Sequence, residues 1–116
     1  FDVAHGAGLT AIWSSWAKYV IDVDPERFAQ FAVNVWGVQN NFHDPKETGL
    51  RGIEAWDEWC HSINLPTSLS ELGIEPTDEQ IHEMAQGAVD ARGGDHAGAF
   101  KFLYVEDIEN ILKAAR

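Results

Sequence analysis

Apolar residues recur at helical spacing along most of the 116-residue chain, and this periodicity limits what the chain can fold into. No segment alternates convincingly with a period of two, and the single strand-like stretch, residues 100–104, is short. The pattern predicts an all-α fold: an irregular bundle of about five main helices, packed at angles and joined by short loops. A chain of this length is expected to form one helical domain over residues 1–116.

Capping signals set the expected limits of the first three helices. The first helix is predicted over about 7–21. Asp24 and Asp44 are good N-cap residues, and each precedes a proline suited to the first helical position. The second helix should end at Gly37 and the third near Ile63, with Glu47 placed to complete a capping box at the start of the third.

The second half of the chain has two more predicted helices. Thr77 and Gln80 form a capping box that opens the fourth, and the fifth is expected over about 105–115. Residues 68–71 are expected to cap a single helical turn before Gly73. The side chains expected to face inward are, in chain order, Leu9, Ile12, Trp13, Trp16, Val20, Phe28, Phe31, Ala32, Val35, Trp36, Leu50, Ile53, Trp56, Cys60, Ile63, Ile81, Met84, Ala85, Ala88, Val89, Ile108, Ile111 and Leu112.

Charge and cysteine content exclude several functional classes. The chain has 19 acidic and 8 basic side chains, a net charge of -11, which disfavours nucleic acid and anionic membrane surfaces as partners. No apolar run approaches the ~20 residues of a membrane span. The lone Cys60 rules out an internal disulfide and fits a reducing compartment, so a cytoplasmic location is expected.

Acidic residues dominate the stretch between Arg51 and Arg92, which has no Lys or Arg. The favoured interpretation is a solvated face, and the alternative is a docking surface for a basic partner.

Most histidines match no known chemistry by spacing. His43, His61, His82 and His96 belong to no metal-binding or catalytic motif and are expected to be structural or surface residues. Cys60 and His61 are helix neighbours that point to different faces, so they do not form a nucleophile–base pair.

His5 differs from the other histidines in its context. It lies just before the first predicted helix and is flanked by Gly6 and Gly8, whose small size allows close approach of a ligand. An imidazole at this point is a candidate metal ligand, but a stable site normally requires three or four ligands. Spacing alone therefore leaves two interpretations open, a ligand and a simply exposed side chain.

Several segments together resemble one enzyme family. The segment His-Gly-Ala-Gly-Leu-Thr-Ala at 5–11, followed by Trp16, Lys18 and Tyr19, resembles the metal-ligand segment of the iron-containing alcohol dehydrogenases, most closely the butanol-dehydrogenase-like branch. The resemblance continues through 31–38, through 52–55 and into the tail at 105–115. It is most specific at 65–74, Leu-Pro-Thr-Ser-Leu-Ser-Glu-Leu-Gly-Ile.

The resemblance implies a two-domain parent enzyme. Its N-terminal domain would bind NAD(P)H, its C-terminal domain would be all-helical, and a divalent metal, Fe or Zn, would lie between them, held by one Asp and three His. The metal would polarise the oxygen of a small aldehyde or alcohol while the nicotinamide transfers hydride. His5 matches the last of the three His ligands. Whether the parent enzyme forms a homodimer is left open.

The same resemblance implies that this chain is a C-terminal fragment that starts after the other ligands and is inactive alone. Its partner would be the N-terminal nucleotide-binding domain. Ser14 departs from the family, which usually carries Pro there, and should leave the first helix straighter. The alternative is a free-standing helical module for protein binding or oligomerisation, because five capped helices with an aromatic core could fold without help.

Overall fold

The computed structural model describes residues 3–116 and is built from helices. The α-helices are α1 (His5–Val20), α2 (Pro25–Trp36), α3 (Pro45–Ser62), α4 (Asp78–Asp90) and α5 (Val105–Ala115), with a short 3-10 helix at Ile21–Val23. Within residues 3–116 there is no strand, and the strand-like stretch forms only an isolated antiparallel bridge between Ala97 and Leu103. The all-α prediction is confirmed.

Capping explains the limits of α2 and α4. The Asp24 carboxylate accepts a hydrogen bond from the Arg27 backbone N–H at 3.2 Å, and α2 ends at Gly37 in the left-handed conformation (φ 67°). Thr77 and Gln80 form the predicted reciprocal capping box at α4. Each of these residues was identified correctly from sequence.

The capping box expected for α3 forms only in part. The Asp44 carboxylate accepts from the Glu47 backbone N–H at 3.2 Å, but the Glu47 carboxylate does not return to Asp44. It accepts instead from the Asn41 amide at 3.2 Å and lies 3.9 Å from Arg51 Nε. The Asp44 backbone N–H donates instead to the Asn41 carbonyl oxygen at 3.1 Å. The prediction of a capping box was wrong in this half, because the preceding loop already provides the acceptor for the Asp44 N–H.

Helix α1 begins two residues earlier than predicted, at His5, and continues through Ser14 without interruption. Its last predicted residue, Ile21, instead opens the 3-10 turn. Residues 68–71 were expected to cap a single helical turn, but they form hydrogen-bonded turns and no helix. Ser68 Oγ accepts a hydrogen bond from the Glu71 N–H at 3.2 Å, and Gly73 reverses the chain direction with a φ of 88°.

Aromatic contacts fix the directions of the first three helices. Trp16 and Trp13 of α1 pack on Phe28 and Phe31 of α2 in reverse order, with ring centroids 6.3 and 5.6 Å apart. Trp13 also packs on Trp56 of α3 at 4.5 Å. Helix α3 runs parallel to α2, since Gly49 lies against Phe28 and Trp59 packs on Trp36 at 6.2 Å. Helix α1 is therefore antiparallel to both, and residues 37–44 join α2 to α3.

Two glycines bring α2 and α3 into close contact. A Cβ atom on Gly52 would lie 2.5 Å from Ala32 Cβ, and one on Gly49 would lie 2.8 Å from Phe28 Cβ. The sequence suggested only that these glycines weaken the start of α3. Their role is close helix packing, since any larger side chain would push the two helices apart.

The core has two parts. The main cluster joins α1, α2, α3 and α5 and includes Ala17, Val20, Ile21, Phe28, Ile53, Leu103 and Ile111. The second cluster joins the first half of α1 to the end of α5 and to the connection before α4, through Ala11, Leu69, Ile74 and Ala115. Helix α4 packs on α5 alone among the helices.

Some expectations about burial were wrong. Leu9, Val35, Ile63 and Ala88 were predicted to face inward but are exposed, because each lies near the edge of its helical stripe or at a helix end. The connections at 63–77 and 91–104 are longer than the short loops expected, and each contributes buried residues to the core. No helix in the described part of the chain is long and apolar enough to cross a membrane.

Candidate functional site

His5 is the first residue of α1 and its side chain is exposed. Helix α5 is also antiparallel to α1, since Tyr19 contacts Asp107 and Ala11 clusters with Ala115. The end of the bundle that holds His5 therefore also contains the carboxyl ends of α2, α3 and α5. Several large apolar side chains are exposed near these helix ends, including Leu9 (53% exposed), Val35 (61%) and Trp59 (48%). His5 therefore lies at an open end of the molecule that displays apolar surface.

The first turn of α1 leaves space around His5. Ala4 precedes the helix and provides no side-chain cap, whereas Asp24, Asp44 and Thr77 cap the next three helices. Apart from the neighbouring residues and the backbone of α1 itself, no atom lies within 4 Å of the position that a Cβ would take on Gly6. The backbone at this end of α1 is thus accessible to a ligand or to another polypeptide segment.

The described residues do not form a complete metal site. Among residues 3–116, no group of three or more His, Cys, Asp or Glu side chains could hold a metal ion together. The imidazole of His5 is a donor that both iron and zinc accept, and it is accessible. A divalent metal bound at His5 would therefore need further ligands from outside residues 3–116.

Three of the other histidines are paired with carboxylates. His61 Nε2 lies 3.0 Å from Glu71 Oε2, His82 Nδ1 is hydrogen-bonded to Glu109, and His96 Nδ1 lies 2.9 Å from Asp95 Oδ2. His96 also stacks on Phe102, with centroids 4.0 Å apart. These are surface contacts, as expected from sequence.

The partners of His61 and His82 could not be identified from spacing. Glu71 is 10 residues from His61 and Glu109 is 27 residues from His82, so only the tertiary fold brings each pair together. His43 is exposed.

Asp57 of α3 is a titratable residue that sequence reasoning missed. Its Oδ1 atom is buried and has no hydrogen-bond partner within the described chain. Burial raises the pKa of Asp57, and the nearby Ser14 hydroxyl and the charge of Lys18 offset part of that shift. Ser14 is itself buried in the middle of α1, and its hydroxyl faces the Asp57 carboxyl group of α3.

Cys60 is a free, fully buried cysteine one residue from His61. Burial raises the pKa of its thiol, which keeps it protonated and unreactive at neutral pH. The prediction that Cys60 and His61 point to different faces is confirmed, because His61 is exposed.

Comparison with known proteins gives a consistent result. The model of the Fe-containing alcohol dehydrogenase family, C-terminal, matches residues 1–116. The chain is 31% identical over 114 residues to NADH-dependent butanol dehydrogenase A of Clostridium acetobutylicum, covering 97% of this chain and 28% of that protein. It is 32% identical over 115 residues to the probable NADH-dependent butanol dehydrogenase 1 of Bacillus subtilis, covering 99% and 28%.

A solved structure shares the fold. The crystal structure of NADH-dependent butanol dehydrogenase A from Thermotoga maritima matches with a TM-score of 0.83 and 33% sequence identity, covering 99% of this chain and 29% of that chain. The chain spans less than a third of the length of each of these three relatives. It belongs to the Fe-containing alcohol dehydrogenase family and corresponds to the C-terminal domain of that family's butanol dehydrogenases.

Proposed function

We propose that this chain is the C-terminal domain of a metal-dependent, NAD(P)H-linked alcohol dehydrogenase that interconverts small aldehydes and primary alcohols. The observation that carries the proposal is His5, which is exposed on the first turn of α1 within a segment that matches the family. The names of the relatives, which state NADH dependence and butanol, support NADH as the cofactor and a short alcohol as the substrate.

In this proposal His5 supplies one ligand, and the first turns of α1 form one wall of the substrate cleft. The metal, iron or zinc, would act as a Lewis acid on the substrate oxygen when bound. Gly6 leaves the space beside His5 open, so that substrate and the remaining ligands can approach. Helix α1 sets the backbone position of His5, from which the exposed imidazole would reach the metal.

The proposed partner is the N-terminal nucleotide-binding domain of the parent enzyme, and the proposed location is the cytoplasm. The apolar side chains exposed at this end of the bundle, among them Leu9 and Trp59, support a covering partner there. A homodimer of the parent enzyme is compatible with this arrangement.

A chimera tests the proposal. The matching segment of C. acetobutylicum NADH-dependent butanol dehydrogenase A is replaced by this chain, and NADH-linked butanal reduction is measured with Fe²⁺ or Zn²⁺ present. We expect the chimera to turn over and the isolated 116-residue chain to be inactive, because the chain contains one ligand and no cofactor domain.

Two outcomes would contradict the proposal. One is clear turnover by the isolated chain, which would mean that the site is complete without a partner. The other is a chimera that folds and binds NADH but does not reduce butanal. Replacing the same segment with the matching segment of the B. subtilis relative provides the control for the junction.

A further inference from the structure

Three side chains join the end of α3 to the connection that follows it. Glu71 Oε2 accepts a hydrogen bond from the Thr67 backbone N–H at 2.8 Å and lies 3.0 Å from His61 Nε2. Thr67 Oγ1 lies 2.9 Å from the same His61 nitrogen. A single carboxylate oxygen thus connects the last turn of α3 to residues 65–74.

Residues 65–74 pack in turn against the helix that carries His5. Leu69 (3% exposed) and Ile74 (8%) form a buried cluster with Ala11 of α1 and Ala115 of α5. The Leu69 N–H donates to the Ala115 carbonyl oxygen at 2.7 Å, and the Ile74 N–H donates to the Leu69 carbonyl oxygen at 2.9 Å. Ala11 lies six residues after His5, so this cluster supports the first half of α1.

We infer that Glu71 is a positioning residue. Together with Thr67 and His61 it clamps residues 65–74 against α1, and through α1 it fixes the position of His5. The effect of Glu71 on packing rests only on the contacts of His61, Thr67 and residues 65–74 given above. The effect on a metal ligand rests on the proposed function.

The chemistry of Glu71 supports a clamp formed by an ionised carboxylate. The Thr67 backbone N–H, and after it His61, lower the pKa of Glu71, so the carboxylate is charged at neutral pH. The Glu71 and His61 side chains are each about half exposed, and polar contacts with this exposure contribute little to global stability. Removing Glu71 should therefore loosen one segment without unfolding the protein.

Hydrogen exchange on the 116-residue chain tests the clamp. In Glu71→Ala we expect the amides of Leu69, Ile74 and Ala11 to exchange about tenfold faster, while the amide of Val89 in α4 is unchanged. Glu71→Gln should restore rates to within about twofold, because its amide oxygen can take the place of Oε2 and accept from both the Thr67 backbone N–H and the His61 ring N–H. Glu58→Ala, which removes an exposed acid from α3, is the matched control.

Three results would overturn the inference. They are unchanged rates in Glu71→Ala, faster exchange at Leu69 with no change at Ala11, or an equal effect of Glu58→Ala. If Glu71→Ala lowers the Tm, Thr67→Ala is measured instead, since it removes the hydroxyl contact to His61 and leaves the backbone bond to Glu71.

A second measurement separates positioning from the proposed function. In the chimera described above, Glu71→Ala should lower the affinity for Zn²⁺ about tenfold at an unchanged Tm, and Glu71→Gln should recover it. If His5→Ala leaves zinc binding intact, the proposed function fails while the exchange result stands. If His5→Ala abolishes zinc binding and Glu71→Ala does not affect it, the positioning inference fails.

Discussion

Asp57 places a carboxyl group between α3 and α1, where its Oδ1 atom is buried without a hydrogen-bond partner in the described chain. Because burial raises the pKa of Asp57, the folded protein holds this proton more tightly than the unfolded chain does. The free energy of unfolding therefore falls as the pH rises from the unfolded pKa, about 3.9, through the raised folded pKa.

Asp57→Asn should raise the free energy of unfolding at pH 7 by about 1 kcal/mol, because it removes a poorly solvated charge while keeping the shape of the side chain. The gain should shrink as the pH falls below 4, where Asp57 is protonated in both states. Urea unfolding at both pH values measures it, and Glu58→Gln removes an exposed charge as the control. Destabilisation at pH 7 would contradict this account of Asp57.

Tyr19 and Asp107 form the polar contact between α1 and α5. The Tyr19 hydroxyl donates to Asp107 Oδ1 at 2.5 Å, and this bond, followed by that from the Tyr104 backbone N–H, lowers the pKa of Asp107. A lowered acid pKa means that the contact stabilises the protein above the unfolded pKa of about 3.9. The stabilisation is lost as the pH falls through the lower folded value.

Tyr19→Phe should therefore lower the free energy of unfolding by about 1 kcal/mol at pH 7, as expected for one hydrogen bond to a charged group that is partly exposed. Below pH 4 the difference from the unsubstituted protein should narrow as Asp107 becomes protonated. Denaturant unfolding at a series of pH values tests this. A difference that is constant with pH would contradict this account, because the contribution of the hydroxyl would then not depend on the charge of Asp107.

At the scale of elements, the packing of α2 on α3 depends on the absence of side chains at two positions. Gly52→Ala should destabilise the protein by about 2–3 kcal/mol, since its Cβ would lie 2.7 Å from the Ala32 Cα atom and the backbone would have to move. Gly87→Ala in α4 is the matched control, because nothing lies within 4 Å of its Cβ position. It should stabilise the protein by about 0.5–1 kcal/mol through helix propensity. Equal effects of the two substitutions on thermal unfolding would refute the close-packing role.

The same elements show what sequence can predict about this fold. Local signals such as Asp24 before proline and Thr77 with Gln80 set helix limits, because capping acts over three residues. The role of Gly52 depends on Ala32, 20 residues away, and no local pattern identifies such a contact. The apolar stripe placed Leu9 inward, but burial at the start of a helix depends on which segments reach that end.

The candidate site was predictable only through its motif. Spacing alone does not decide whether His5 is a metal ligand or a simply exposed side chain. The resemblance of residues 5–11 to the family favours the metal ligand. Neither Asp57 nor Glu71 was identified, since their environments form only when α1, α3 and residues 65–74 pack together.

At the scale of the whole molecule, the bundle is a flattened body measuring 41 × 32 × 19 Å. Its thinnest dimension is about two helix diameters. A layer this thin leaves many side chains near the surface, and several large apolar ones are exposed near the ends of helices. A thin layer of this kind is compatible with the proposed role as one wall of a cleft.

The metal content of the chimera tests the central claim most directly. Elemental analysis after dialysis should find about one Fe or Zn per chain in the chimera and a loss of at least tenfold in His5→Ala, because a three-ligand remnant holds metal weakly. His43→Ala, which removes another exposed imidazole, should keep the full content. Full metal content in His5→Ala would contradict the account, because His5 would then be an exposed side chain and no ligand.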